Sequence, residues 1–215
     1  MVFKDRIDAG EKLAVLLEKK LPLSRDRAIV VSLLRGGIVV GDVIAKKLSL
    51  THLPLVVTKI PAPYQPELAI GALCFDQTYW ESSIVNSLNL TLPEKNDQRL
   101  IAKNKFTDYC RRFNIQEKDF LNIKNKTVVL VDDGIATGST ARAARLFLKS
   151  MQTKKIILAS PVAPSDFKND GFDEVIILHK DPYLSAISQF YQSFPQLEDE
   201  EVEIILSTPS PPLKR

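Results

Sequence analysis

The strongest chemical signal in the chain runs from Val128 to Thr140: Val-Val-Leu-Val, then Asp132 and Asp133, then Gly134-Ile135-Ala136-Thr137-Gly138-Ser139-Thr140. Four apolar residues make a strand that ends on two adjacent carboxylates. The small and hydroxylic residues after them open a helix. A loop of that composition offers an anion its backbone N–H groups and the positive end of the helix dipole. Thr137, Ser139 and Thr140 add hydroxyl donors, which suits a phosphate monoester. Two carboxylates just upstream would repel that phosphate unless they have another task, and accepting hydrogen bonds from a sugar diol is the natural one. Phosphate with a neighbouring diol describes a ribose 5-phosphate. A single acid here would read as an ordinary strand end with a helix cap; the pair followed by Thr-Gly-Ser-Thr does not. Gly134 and Gly138 have the wrong spacing for a Walker A loop, no Lys follows them, and a G-x-G-x-x-G is absent.

Two further strand ends carry unusual residues. The β-branched, apolar run Ala28 to Leu34 leads into Arg35-Gly36-Gly37. Glycines let the backbone approach an anion closely, and Arg35 supplies a planar fork of donors. Alone, an Arg-Gly-Gly turn is weak evidence. The run Leu53 to Lys59 reads as one more strand, with Pro54 tolerable near its start, and it ends in a cation. Beyond it Pro61, Pro63 and Pro66 exclude a helix, Glu67 follows, and Ala69 to Phe75 suits a short extended piece.

The elements that must position these residues alternate. Asp8 and Glu11 resemble a capping box, with Ala9, Leu13, Leu16 and Leu17 at helical spacing up to Lys20. A second amphipathic stretch spans Ile38 to Leu48, and a highly charged, solvated helix runs from Pro93 to about Phe113. Lys126 to Asp133 is the clearest strand; a helix Ser139 to Ser150 and strands Lys155–Ser160 and Glu174–Leu178 follow. Strands separated by helices predict an α/β fold, a Rossmann-like central parallel sheet of about five strands flanked by helices. In such a sheet ligands bind at the carboxyl ends of the strands, where all three unusual segments fall. One domain is expected over residues 1–206, with 60–92 an irregular insertion and a Pro-rich tail, 207–215, draped or disordered. The segment 76–125 has no functional reading.

Composition excludes several classes. The 215 residues include 29 Lys plus Arg against 26 Asp plus Glu, a formal net charge of +3. That is too small to argue for nucleic acid or an anionic membrane. No apolar run reaches membrane-spanning length, and the stretch Met1 to Asp8 has charges where a signal peptide needs its apolar residues, so a cytoplasmic protein is expected. Cys74 and Cys110 make no disulfide framework, and His52 and His179 make no zinc site.

The segment 128–140 resembles the 5-phosphoribosyl-1-pyrophosphate (PRPP) signature of type I phosphoribosyltransferases: apolar strand, two acids, then x-x-x-T-G-x-T. Phe3-Lys-Asp-Arg6, Asp8-Ala-Gly10, Glu67-Leu-Ala-Ile-Gly-Ala72 and Ser160-Pro-Val-Ala163 are similar to a subgroup with unassigned acceptors. The resemblance implies the family fold with a small hood. It implies that Asp132 and Asp133 hold the ribose hydroxyls, and that the loop through Gly134, Ile135, Ala136, Thr137, Gly138, Ser139 and Thr140 wraps the 5-phosphate. Arg35, Gly36 and Gly37 would form the pyrophosphate loop, often built around a non-proline cis peptide, and Lys59 would meet pyrophosphate. The segment 60–75 would be the mobile catalytic loop, with Glu67 a candidate general acid or base. It further implies PRPP and Mg²⁺, the ion held by substrate oxygens and water with no dedicated protein ligands. A nucleobase or amine acceptor and a homodimer complete the expectation, in nucleotide metabolism. Family members acting on hypoxanthine or guanine carry Asp at the position of Ala136, so 6-oxopurines are disfavoured. Leu34 stands where Pro precedes the Arg-Gly-Gly, and Thr58 where Arg often precedes the Lys. These departures keep open an alternative, a regulatory protein that binds PRPP or a nucleotide without catalysis.

Overall fold

The computed structural model describes residues 2–24 and 27–207; most of the Pro-rich tail, 208–215, lies outside the described residues. Five strands form a parallel sheet: β1 (Ala28–Leu33), β2 (Thr51–Leu55), β6 (Thr127–Val131), β7 (Lys155–Pro164) and β8 (Glu174–Asp181), in the order β2-β1-β6-β7-β8. Every residue of β1 is buried, as a strand covered on both faces requires. Alternate residues feed two cores. Ile29, Val31, Val128, Leu130, Ile156 and Leu158 face one, and Val30, Val129, Val131, Ile157 and Ala159 the other. The latter is closed by α1 (Arg6–Lys20) and α2 (Gly37–Leu48), the former largely by α5 (Ser139–Ser150).

The α1 helix begins before Asp8. Asp5 is its N-cap, accepting from the Asp8 amide at 2.9 Å, while Asp8 binds the Lys4 amide and Lys12 from the first turn. The Asp8/Glu11 box is therefore not formed, and Arg6 enters the helix as a buried residue.

The expected strand Leu53–Lys59 is two strands. β2 pairs with β1 as far as Leu33↔Leu55 and stops. The chain then leaves the sheet, and Lys59 lies in β3 (Thr58–Ala62) of a second, antiparallel sheet with β4 (Gln65–Cys74) and β5 (Gln77–Trp80), ordered β3-β4-β5. An unbroken apolar run carries no mark of a change of sheet. Pro54 is the fourth residue of β2 rather than an early one, and is accommodated because β2 is an edge strand. Phe75, at the turn between β4 and β5, stacks on Phe147 of α5 with ring centroids 4.4 Å apart. It also meets Phe106 edge-on at 5.1 Å. This aromatic cluster fastens the small sheet to the large one. Phe106 belongs to α4 (Leu92–Arg112), which a short α3 (Ser82–Ser87) precedes. Only Ala102 and Phe106 of α4 are buried, in keeping with a solvated helix. The acidic run after residue 197 opens α6 (Asp199–Ser207), with three acids in its first turn where the dipole favours them.

His52 of β2 and Ser32 of β1 share a hydrogen bond of 2.6 Å in the interior. A β-carbon on Gly41 of α2 would lie 2.9 Å from the His52 Nε2, so α2 packs closely against the pair. Burial pulls the His52 imidazole from 6.5 down to about 4. The unfolded chain takes up this proton below about pH 6.5 and the native state does not until about pH 4, so stability is full above that window and falls with acid. Between pH 7 and pH 5 the loss from this group is about 2 kcal/mol. Urea midpoints at the two pH values, compared with a His52→Gln variant lacking that slope, check it; equal slopes would sink the account.

Candidate functional site

β1 and β6 lie side by side, Ser32 opposite Val131, so the segments following them meet at one edge of the sheet. The Leu34–Arg35 peptide is cis, as the resemblance to phosphoribosyltransferases leads one to expect. Gly36 and Gly37 press against the two acids. A β-carbon on Gly36 would sit 1.8 Å from the Asp133 Oδ2, and one on Gly37 3.0 Å from the Asp132 Cα. Glycine is required here by contact.

Asp133 is held on several sides. Its Oδ2 accepts from the Arg6 Nε at 2.8 Å, with side chains only 9% and 14% exposed. Arg6 also donates to the Pro195 carbonyl at 2.8 Å and lies 3.8 Å over the Phe194 ring. The Tyr191 hydroxyl donates to the Asp133 carbonyl at 2.6 Å. Burial, then the neighbouring Asp133 charge, raises the Asp132 carboxyl well above the usual carboxylate range. The segment carrying Tyr191 and Phe194 packs on Phe3 and Val162 and makes the small hood over this end of the sheet. Val162 is fully buried there.

The loop after Asp133 is tied from behind. The Ile135 amide donates to the Val162 carbonyl at 2.8 Å and its side chain is buried, so Ile135 offers the site backbone only. Gly138, at φ +85°, caps α5. Arg142 donates to the Thr137 carbonyl at 2.6 Å and pairs with Asp170. The Ser139 hydroxyl, expected to face a phosphate, is buried and donates to Glu81 at 2.5 Å. Ala136 and Thr137 are exposed, bordering a recess of about 270 Å³ with Phe167 and Lys168.

Arg35, Lys59, Glu67 and Thr140 converge on a larger cavity of about 520 Å³ between the small sheet and α4, whose Ile101, Lys105 and Tyr109 line the far wall. The 60–75 segment is hydrogen-bonded strand over most of its length rather than an irregular loop. Thr58 is buried and donates to the Ala102 carbonyl of α4 at 3.0 Å. An arginine at that position would collide with this packing, which gives a physical reason for the departure.

The expected residues thus fall into groups: Arg35, Lys59, Glu67 and Thr140 line the larger cavity, Ala136 and Thr137 the smaller recess, Gly36 and Gly37 meet Asp132 and Asp133, and the Ser139 side chain is turned to Glu81. Sequence reasoning gives no role to Arg6, Tyr191, Glu81, Arg142 or Asp199. Arg6 stands 127 positions from Asp133, and no local pattern announces such a pair.

A parallel α/β sheet with paired acids, a glycine-bearing loop and a helix N-terminus grouped at its carboxyl end is the architecture that the resemblance to phosphoribosyltransferases implies. Comparison with known proteins narrows it: residues 4–171 match the phosphoribosyl transferase domain model. The chain belongs to the phosphoribosyl transferase family. Curated proteins from two strains of Mycobacterium tuberculosis, provisionally named phosphoribosyl transferases, are 34% identical over 212 residues, covering 95% of this chain. They align over 46% of their own sequences, so the chain spans about half the length of these relatives. The crystal structure of TT1426 from Thermus thermophilus is 30% identical and superposes with a TM-score of 0.72, covering 96% of this chain and 98% of that one. No described helix is long and apolar enough to cross a membrane.

Proposed function

We propose that the protein is a cytoplasmic, homodimeric phosphoribosyltransferase that binds PRPP with Mg²⁺ and transfers its phosphoribosyl group to a nitrogen nucleophile. The single observation that carries this reading is the contact of Gly36 and Gly37 with Asp132 and Asp133, beside the cap of α5. That contact sets the loop after β1 directly against the paired acids, so a ligand held by the acids is within reach of the loop.

In the reaction the bond from the anomeric carbon to the diphosphate oxygen breaks with its electron pair on oxygen. The acceptor nitrogen bonds to that carbon and loses a proton to water or a nearby base. Positive charge develops on the sugar ring and negative charge on the leaving group. Asp132 and Asp133 hold the ribose hydroxyls, the loop from Gly134 to Thr140 holds the 5-phosphate with its amides other than that of Ile135, which is spent on Val162, and Arg35 and Lys59 face the diphosphate. Glu67, which lines the larger cavity, is the candidate to exchange a proton with bound substrate. Among the described residues no cluster of three or more His, Cys, Asp or Glu could hold a metal. The two aspartates nevertheless fit an ion carried in on diphosphate oxygens, since their mutual repulsion is what a divalent cation offsets. Bound there, the ion would neutralise charge on the leaving diphosphate. Ala136 places no carboxylate at its own position in the loop, where the family's hypoxanthine and guanine enzymes carry one, so guanine and hypoxanthine are poor acceptors in this reading; the carboxylates of the adjoining recess, Asp166 and Asp170, come from elsewhere in the chain.

The test is Mg²⁺-dependent pyrophosphate release from PRPP with adenine, guanine, hypoxanthine, uracil, orotate, nicotinate and simple amines, using Asp133→Asn as control. Release with one acceptor, lost in the variant, is the expected result. Silence with every acceptor, with PRPP still raising the wild-type melting temperature, would favour a non-catalytic PRPP-binding regulator. No binding of PRPP would overturn the reading.

A further inference from the structure

Two arginines from distant parts of the chain grip one carboxylate. Arg35, in the loop after β1, places its Nη1 3.4 Å from the Asp199 Oδ1. Arg112, at the end of α4, pairs through its Nη1 with the Asp199 Oδ2. Each guanidinium thus takes its own oxygen of the same anion, the geometry by which arginines bind phosphoryl groups. We propose that Arg112 joins Arg35 in a diphosphate-binding site, and that Asp199 occupies this site as an internal anion until a diphosphate displaces it. The inference rests on the PRPP reading for its ligand.

The surroundings favour a polyanion. On α4, Lys105 and Tyr109 line the larger cavity together with Arg35 and Lys59. Arg112 follows Tyr109 by three positions and Lys105 by seven, which keeps it on the same face of the helix. Arg35, Lys59 and Lys105 therefore line the space against the carboxylate of Glu67, and Arg112 connects to it through the Asp199 carboxylate that it shares with Arg35. A diphosphate carries more charge and more acceptor oxygens than the single carboxylate it would replace.

The pair is also built to open. The Arg112 side chain is 55% exposed and that of Asp199 21%, so water screens their attraction and breaking it costs little. Leu197 and Val202, on either side of Asp199, are buried in the core. The helix can stay docked while the Asp199 side chain swings away. A competing account gives Asp199 the task of orienting Arg35, or merely of favouring the N-terminus of α6. When its charge is removed the orienting role predicts weaker pyrophosphate binding and the helix role predicts unchanged binding, whereas an internal anion predicts tighter binding, so either of the first two results overturns the proposal.

The experiment titrates inorganic pyrophosphate into the full chain by calorimetry at constant ionic strength with Mg²⁺, for wild type, Asp199→Asn and Arg112→Gln. PRPP is titrated in parallel. Expected are about tenfold tighter pyrophosphate binding for Asp199→Asn and about tenfold weaker binding for Arg112→Gln, with circular dichroism unchanged. Weaker binding by Asp199→Asn would make Asp199 an orienting residue and overturn the proposal; so would an unaltered Arg112→Gln, or no pyrophosphate binding by any of the three. If PRPP binds while pyrophosphate affinity ignores both substitutions, this proposal fails and the transferase reading stands. If PRPP does not bind yet Asp199→Asn gains pyrophosphate affinity and Arg112→Gln loses it, the reverse holds.

Discussion

Replacing Arg6 with alanine is expected to lower stability by about 3–5 kcal/mol, because it leaves the Asp133 carboxylate inside the protein without its partner. The loss goes beyond one ion pair. The Arg6 guanidinium also donates to the Pro195 carbonyl and covers the Phe194 ring, so the hood loses its tie to the first helix. Urea unfolding of wild type, Arg6→Ala, Asp133→Ala and the double variant measures the coupling. The double variant should recover much of the loss, since it removes the stranded charge as well. A single-variant cost under about 1 kcal/mol would mean that water reaches Asp133 and the clamp is ornamental.

The second large effect is expected at Gly36. A β-carbon there would overlap the Asp133 carboxylate, 1.8 Å from Oδ2 and 2.4 Å from Cγ. With Arg6 holding that carboxylate, the loop must give way. Gly36→Ala should therefore remain folded, at a cost of about 1–3 kcal/mol, and lose the rise in melting temperature that PRPP gives the wild type. A full thermal response to PRPP in the variant would show that Asp133 is free to move aside.

How much of this is legible in the sequence depends on whether a residue's task is set locally. The helix Ser139–Ser150 stands as the pattern predicts, because an apolar stripe at helical spacing is a local signal, while its cap is Gly138 in the left-handed conformation. The five strands of the large sheet are likewise readable, although β7 and β8 run on past their predicted ends into the hood side. Lys59 ends the right apolar run but belongs to a different sheet from the expected one, since Val56 and Val57 look no different from strand residues. The start of α1 is ambiguous in sequence because Asp5 and Asp8 both qualify as caps, and the hydrogen bond from the Asp8 amide decides between them. Asp132 and Asp133 stand out as a pair of acids. Nothing near them indicates that Arg6 fixes one and that burial raises the other. Ser139 falls among the expected phosphate-facing hydroxyls because composition records a donor without its direction.

The irregular register between β3 and β4 has a mechanical consequence. Pairing is regular from Thr58↔Leu73 to Ile60↔Gly71, then shifts on either side of Pro61. The inner half of this ribbon is anchored at Phe75 by its ring stack on α5. Its outer half carries Glu67 and ends at Tyr64, which is 99% exposed. Any closure of the ribbon over a bound substrate therefore has its fulcrum at Ile60 and Pro61. In such a closure Glu67 would ride on the arm beyond the shift, and Lys59, in the regularly paired part, would stay with the base anchored at Phe75.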